Sequence, residues 1–128
     1  MERKIAVSAA ILGMTAILLG AFGAHALKEV LSIEQLNAFD TGAKYQMFHA
    51  LFLLFISQAN AISENAKKTI FYLTILGILF FSGSIYILTT RNVTGLDIKA
   101  IGIITPIGGL LLIVAWLCLF IDFIKKKV

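Results

Sequence analysis

The chain has 128 residues, 59% of them apolar and only 14% charged, with a net charge of +4 and a pI near 9.4. Soluble domains run at roughly 45–50% apolar and 25% charged residues, so this composition leaves no room for a separate soluble catalytic domain. Cys118 is the only cysteine, which excludes an intrachain disulfide or a multi-cysteine metal site.

The first apolar run spans Ile5 to Leu27. Glu2 to Lys4 ahead of it and Ala24-His25-Ala26 behind it imitate a secretory signal. Ile5 to Phe22, however, is 18 residues, and a signal's apolar region has 7–15, so the run reads as an uncleaved first helix. Ala9, Gly13, Ala16, Gly20 and Gly23 recur at spacings of four and three, forming one small-residue face suited to close helix packing. Ser32-Ile33-Glu34-Gln35 fits a capping box. Ile33, Leu36 and Phe39 then form an apolar stripe, which predicts a short amphipathic helix on the outer surface, with a bend at Gly42.

The second run covers Tyr45 to Ile62, and Ser63 to Lys68 reads as a tight turn. The third covers Thr69 to Leu88, followed by a polar connection from Thr89 to Lys99. The fourth runs from Ile101 to Ile124. Gly102, Thr105 and Gly109 repeat the small-residue pattern there, and Pro106 predicts a kink or the start of the main span. Trp116 reads as a packed or lipid-facing anchor, Cys118 as a small filler, and Asp122 as an interfacial residue. A hydrocarbon core of about 30 Å needs roughly 20 helical residues, and each run approaches that length. The fold class expected is all-α: a four-transmembrane-helix bundle with a short amphipathic helix between helices 1 and 2, residues 1–128 forming one integral membrane domain. A membrane barrel would need short alternating strands instead.

Basic residues set the expected orientation. With the N-terminus inside, 7 of the 11 Lys and Arg (Arg3, Lys4, Lys67, Lys68, Lys125, Lys126, Lys127) fall on the inner side. Lys28, Lys44, Arg91 and Lys99 fall outside. Positive charge is retained on the cytoplasmic side, so both termini are expected there. The high pI then reflects topology rather than nucleic-acid binding, and the basic C-terminal run suits anionic lipid.

Four ordered strings carry a resemblance: Gly20-Ala21-Phe22-Gly23-Ala24-His25-Ala26-Leu27, Tyr45-Gln46-Met47-Phe48-His49-Ala50-Leu51, Phe81-Ser82-Gly83-Ser84-Ile85-Tyr86 and Ile104-Thr105-Pro106-Ile107-Gly108-Gly109. Together they resemble the small four-pass bacterial membrane proteins catalogued as domain of unknown function four-two-three, related to a small eukaryotic transmembrane protein. The resemblance covers almost the whole chain. It implies a four-helix membrane protein and supplies no catalytic residues.

Depth brings these strings together. His25 lies about three residues inside Lys28 and His49 about five beyond Lys44, or roughly 4.5 and 7.5 Å at the helical rise. Gln46, Ser82, Ser84, Tyr86 and Thr105 fall in the same outer layer. Polar groups in lipid mark a site by default, but they also join helices, so the layer reads as a structural network or a site for a lipid-like ligand. Two histidines alone make an incomplete zinc site, and His25 faces away from the small-residue stripe, which counts against a shared haem; no metal or cofactor is expected. No nucleophile elbow, zinc-helix motif or orienting carboxylate accompanies the histidines, so an enzyme is not expected. A small transporter or channel is the alternative, against which stands the lack of an intramembrane carboxylate other than Asp122. The partners expected are membrane lipids, with a second copy or another membrane protein as further possibilities.

Overall fold

The computed structural model describes residues 1–125, and every regular element among them is a helix. Helix α1 runs Glu2–His25 and α2 runs Ile33–Gln58. Next come α3 (Glu64–Ile78), a five-residue π turn (Leu79–Gly83) and α4 (Ser84–Thr89). The single turn α5 (Arg91–Thr94) ends at Gly95, whose φ of 78° is the left-handed conformation glycine tolerates. Helix α6 runs Ile101–Lys125 with Pro106 in its second turn. Lys126 and Lys127, the rest of the basic C-terminal run, lie outside the described residues.

Three helical segments are long and apolar enough to cross a membrane: Glu2–His25, Glu64–Thr89 and Ile101–Lys125, with mean hydropathies of 2.2, 2.0 and 2.5. Helix α2 is as long as these, but Glu34, Asp40, Lys44, Gln46 and His49 dilute its apolar character. The expected second span ends early, since α2 stops at Gln58. The turn expected at Ser63 to Lys68 lies one step earlier, because Ser63 caps α3 by accepting from the amide of Ala66 at 3.2 Å.

The capping box forms as its residues dictate. Ser32 Oγ accepts from the Gln35 amide at 3.1 Å, and Gln35 Oε1 accepts from the Ser32 amide at 3.0 Å. The helix it starts does not stop at Gly42, so a separate amphipathic helix between helices 1 and 2 is absent, and the stripe forms the first turns of α2. Gly42 provides closeness rather than a bend: a Cβ there would lie 3.0 Å from the Tyr86 ring. Phe39 and Leu36 pack with Leu27, Leu31 and Tyr86, whereas Ile33 stays exposed.

Helix α1 lies chiefly against α2, and α3 with its π turn against α6. Ile5, Ala9, Phe52, Leu53, Ile56, Ile70, Phe71, Ala115 and Leu119 form the main core, which draws on all four long segments. A second, smaller cluster around Leu27 and Phe39 closes the opposite end of the α1–α2 pair. Outward faces are apolar too: Ile11, Ile17, Leu18, Ile103, Leu110, Ile113 and Phe120 are all exposed. A soluble domain rarely shows so continuous an apolar surface, and a lipid environment accounts for it.

An ion pair and a carboxylate cap bind the end of the molecule that carries Glu2 and Lys125. The Lys67 ammonium, 1% exposed, meets the half-exposed Glu2 carboxylate at 2.8 Å and so ties α3 to the start of α1. Asp122 accepts from the Ser63 amide at 3.1 Å and from its hydroxyl at 2.7 Å, tying α6 to the start of α3.

Candidate functional site

Between the two apolar clusters lies a set of buried polar side chains built around Gln46. Its position on α2 turns it toward α1, where its amide nitrogen donates to Leu12 O at 2.9 Å and Thr15 Oγ1 at 2.7 Å. Its amide oxygen accepts from the Tyr86 hydroxyl at 2.7 Å. One side chain thereby joins α1, α2 and α4, and both amide protons are used. The Tyr86 ring stacks against Phe39 at 5.0 Å and fills the space that Gly42 leaves.

One turn further along α2, His49 is 5% exposed. Its Nδ1 lies 2.8 Å from Tyr45 O, and its Nε2 lies 3.1 Å from the indole Nε1 of Trp116. A carbonyl only accepts and an indole N–H only donates, so these partners assign the proton to Nδ1 and leave Nε2 bare. Trp116 also packs its ring 4.1 Å from Phe52, yet remains 48% exposed on its other side.

Ser82 and Ser84 sit two residues apart and face opposite neighbours, as a helical turn requires. Ser82, fully buried, donates to Gly42 O on α2 at 2.7 Å. Ser84 donates to Phe81 O at 2.9 Å, which leaves its oxygen to accept from Thr105 Oγ1 on α6. The π turn that carries Ser82 presses its backbone on α6: a Cβ on Gly108 would fall 2.6 Å from the Phe80 carbonyl carbon. Gly77, one turn earlier, meets Leu112 just as closely, at 2.6 Å. π turns often accompany functional sites, and this one lies where α2, α4 and α6 converge.

Of the seven candidate layer residues, Gln46, His49, Ser82, Ser84, Tyr86 and Thr105 all join interhelical hydrogen bonds or buried contacts. His25 stands apart, exposed at the end of α1 and free of hydrogen bonds to the others among the described residues. Thr15 and Trp116 complete the network although the sequence reading did not place them in it. Both lie near the middle of their helices, away from the outer ends where the layer was expected, and which face each turns inward depends on the rotation of α1 and α6. The glycines divide similarly. A Cβ on Gly13 or Gly109 would make ordinary contacts at 3.7 Å, and one on Gly23 would meet the Phe39 ring at 2.8 Å. Gly20 and Gly102 approach nothing within 4 Å.

Beside the network an apolar groove of about 340 Å³ opens between α2, the π turn and α6, lined by Tyr45, His49, Phe81, Leu112 and Trp116. Among the described residues no three His, Cys, Asp or Glu side chains gather as metal ligands.

The family model described as "Protein of unknown function (DUF423)" matches residues 19–109, more than two thirds of the chain. The chain belongs to this family. Among its relatives, the UPF0382 membrane protein SSP2132 of Staphylococcus saprophyticus is 43% identical over 112 residues, covering 88% of this chain and 89% of its own. The UPF0382 membrane protein YwdK of Bacillus subtilis is 37% identical over 118 residues, 91% of this chain and 92% of its own. The UPF0382 inner membrane protein YgdD of Escherichia coli is 30% identical over 129 residues, 98% of this chain and 93% of its own. These are bacterial membrane proteins by name, and none of the names carries an enzyme activity. No solved structure matches the chain. The family match takes in Gln46, His49, Ser82, Ser84, Tyr86 and Thr105 and stops short of Thr15 and Trp116.

Proposed function

We propose that the chain is a four-pass protein of the bacterial inner membrane, one integral domain with both termini cytoplasmic, that acts by binding and not by catalysis. In this reading the polar layer around Gln46 and His49 is its internal lock. Helix α2 is the fourth crossing: its 26 residues reach about 39 Å at the helical rise, and its buried polar groups face protein rather than lipid. The observation that carries the reading is saturation. Both amide protons of Gln46, its oxygen and both nitrogens of His49 already have partners inside the protein. Groups so engaged hold helices together and are not free to transfer protons or escort a solute.

Thermal unfolding in detergent tests the lock. His49→Ala lowers the melting temperature by the same amount with and without added lipid extract. A loss seen only when lipid is present moves the role of His49 to ligand binding. That second reading has its own support in the apolar groove beside His49, whose aromatic walls suit a lipid-like chain. A solute flux in proteoliposomes that falls on Gln46→Ala would replace both with transport. A cysteine added after Val128 tests the orientation, since it stays unreactive toward an impermeant reagent applied from outside.

A further inference from the structure

The outer ends of α1 and α2 enclose a crevice of about 290 Å³, lined by Gly20, Gly23 and Ala24, by Lys28 of the connection, and by Asn37 and Asp40 of α2. It lies apart from the polar layer, and none of its lining residues takes part in the Gln46 and His49 hydrogen bonds. We propose that this crevice binds the phosphoethanolamine headgroup of a membrane lipid.

Its chemistry is that of a zwitterion's two ends. The amides of Ala26 and Leu27 both turn back to Phe22 O, so the carbonyls of Gly23 and Ala24 receive no backbone hydrogen bond among the described residues. Such carbonyls carry the negative end of the helix dipole and attract a cation. The Asp40 carboxylate lines the same crevice, and its exposed pairing with Lys44 at 3.1 Å is weak enough to share. Together they make a set of acceptors for an ammonium that has N–H groups to give. The same crevice is lined by Lys28, which makes no ion pair among the described residues, and by Asn37. An ammonium and an amide N–H suit a phosphate.

The floor fits a lipid rather than a soluble zwitterion. Gly20 belongs to the small-residue stripe, yet a Cβ there would touch nothing within 4 Å, so its missing side chain is not spent on helix packing. Ile17, one turn deeper on the same face as Gly20 and Ala24, is 64% exposed and apolar. An acyl chain leaving the crevice passes over Gly20 and lies along Ile17. The proposal is independent of the lock assigned to the polar layer.

The test is native mass spectrometry of the full chain in detergent, given equimolar phosphatidylethanolamine, phosphatidylcholine and phosphatidylglycerol with matched acyl chains. Choline has no N–H to donate and glycerol carries no cation. Phosphatidylethanolamine adducts therefore exceed the other two by about tenfold in the wild type. Lys28→Ala and Asp40→Asn, both at exposed positions, bring them down to the phosphatidylcholine level. Gly20→Leu, which fills the crevice, does the same without lowering the melting temperature. Equal retention of the three lipids, preference for phosphatidylglycerol, or undiminished adducts in Lys28→Ala and Asp40→Asn would overturn the proposal. Displacement of the lipid by millimolar glycerophosphoethanolamine as readily as by the intact lipid would overturn the assignment to a membrane lipid.

Discussion

Gln46 shows how a single amide can order a helical assembly in lipid. Interhelical hydrogen bonds in membranes average about 0.6 kcal/mol, and Gln46 makes three. Gln46→Leu is expected to cost about 2 kcal/mol in chemical unfolding, and Tyr86→Phe much less, because only the former strands several partners. A double-mutant cycle between the two checks that they share one interaction. Thr74 provides the opposite case. Its hydroxyl is fully buried in α3 and has no partner among the described residues. Thr74→Val keeps the shape and removes the unmet group, so it is expected to raise stability by about 1 kcal/mol. Trp116 is the only tryptophan, and its indole N–H rests on His49, so His49→Phe is expected to shift the intrinsic emission.

At the scale of elements, the decisive contacts are backbone against backbone. The π turn of Leu79–Gly83 and the Gly108 segment of α6 meet with no room for a methyl group, while Gly77, one turn away, is crowded by the Leu112 side chain. Gly108→Ala is expected to destabilise the fold by about 1–3 kcal/mol or more through overpacking and so lower the melting temperature, while Gly102→Ala leaves it unchanged. The sequence made the apolar helices and the Ser32–Gln35 cap legible, since composition and spacing carry them. It did not reveal which glycines press on a neighbour. Gly20 and Gly102 fit the small-residue pattern as well as Gly13 and Gly23 do, and only helix rotation separates them. Nor did it reveal that α2 runs straight through Gly42, because the residue filling the gap, Tyr86, is more than forty positions away. His25 missed the layer in depth as well as direction: Gln46 meets α1 at Leu12 and Thr15, ten or more residues before His25, or about 15 Å at the helical rise.

For the molecule as a whole, stability at the Glu2 end depends on a carboxylate. Glu2 lies ahead of the apolar run, and the Lys67 ammonium beside it holds its carboxyl below the usual carboxylate range. A carboxyl lowered in the folded state stabilises the fold above its unfolded value and loses that contribution as pH falls through its folded value. Melting temperature is therefore expected to decline on acidification below about pH 4.3. Glu2→Gln melts lower at neutral pH and shows less of this decline, since Lys67 then stays buried without its counter-charge.

The arrangement of the Gln46 bonds also bears on how the chain is made. Its two donor contacts go to Leu12 and Thr15, both synthesised before it, and its acceptor contact goes to Tyr86, synthesised after it. The amide protons are therefore sheltered as soon as the first two helices pair, while the rest of the chain is still on the ribosome. Only the carbonyl oxygen waits for Tyr86, whose arrival joins the late helices to the early pair.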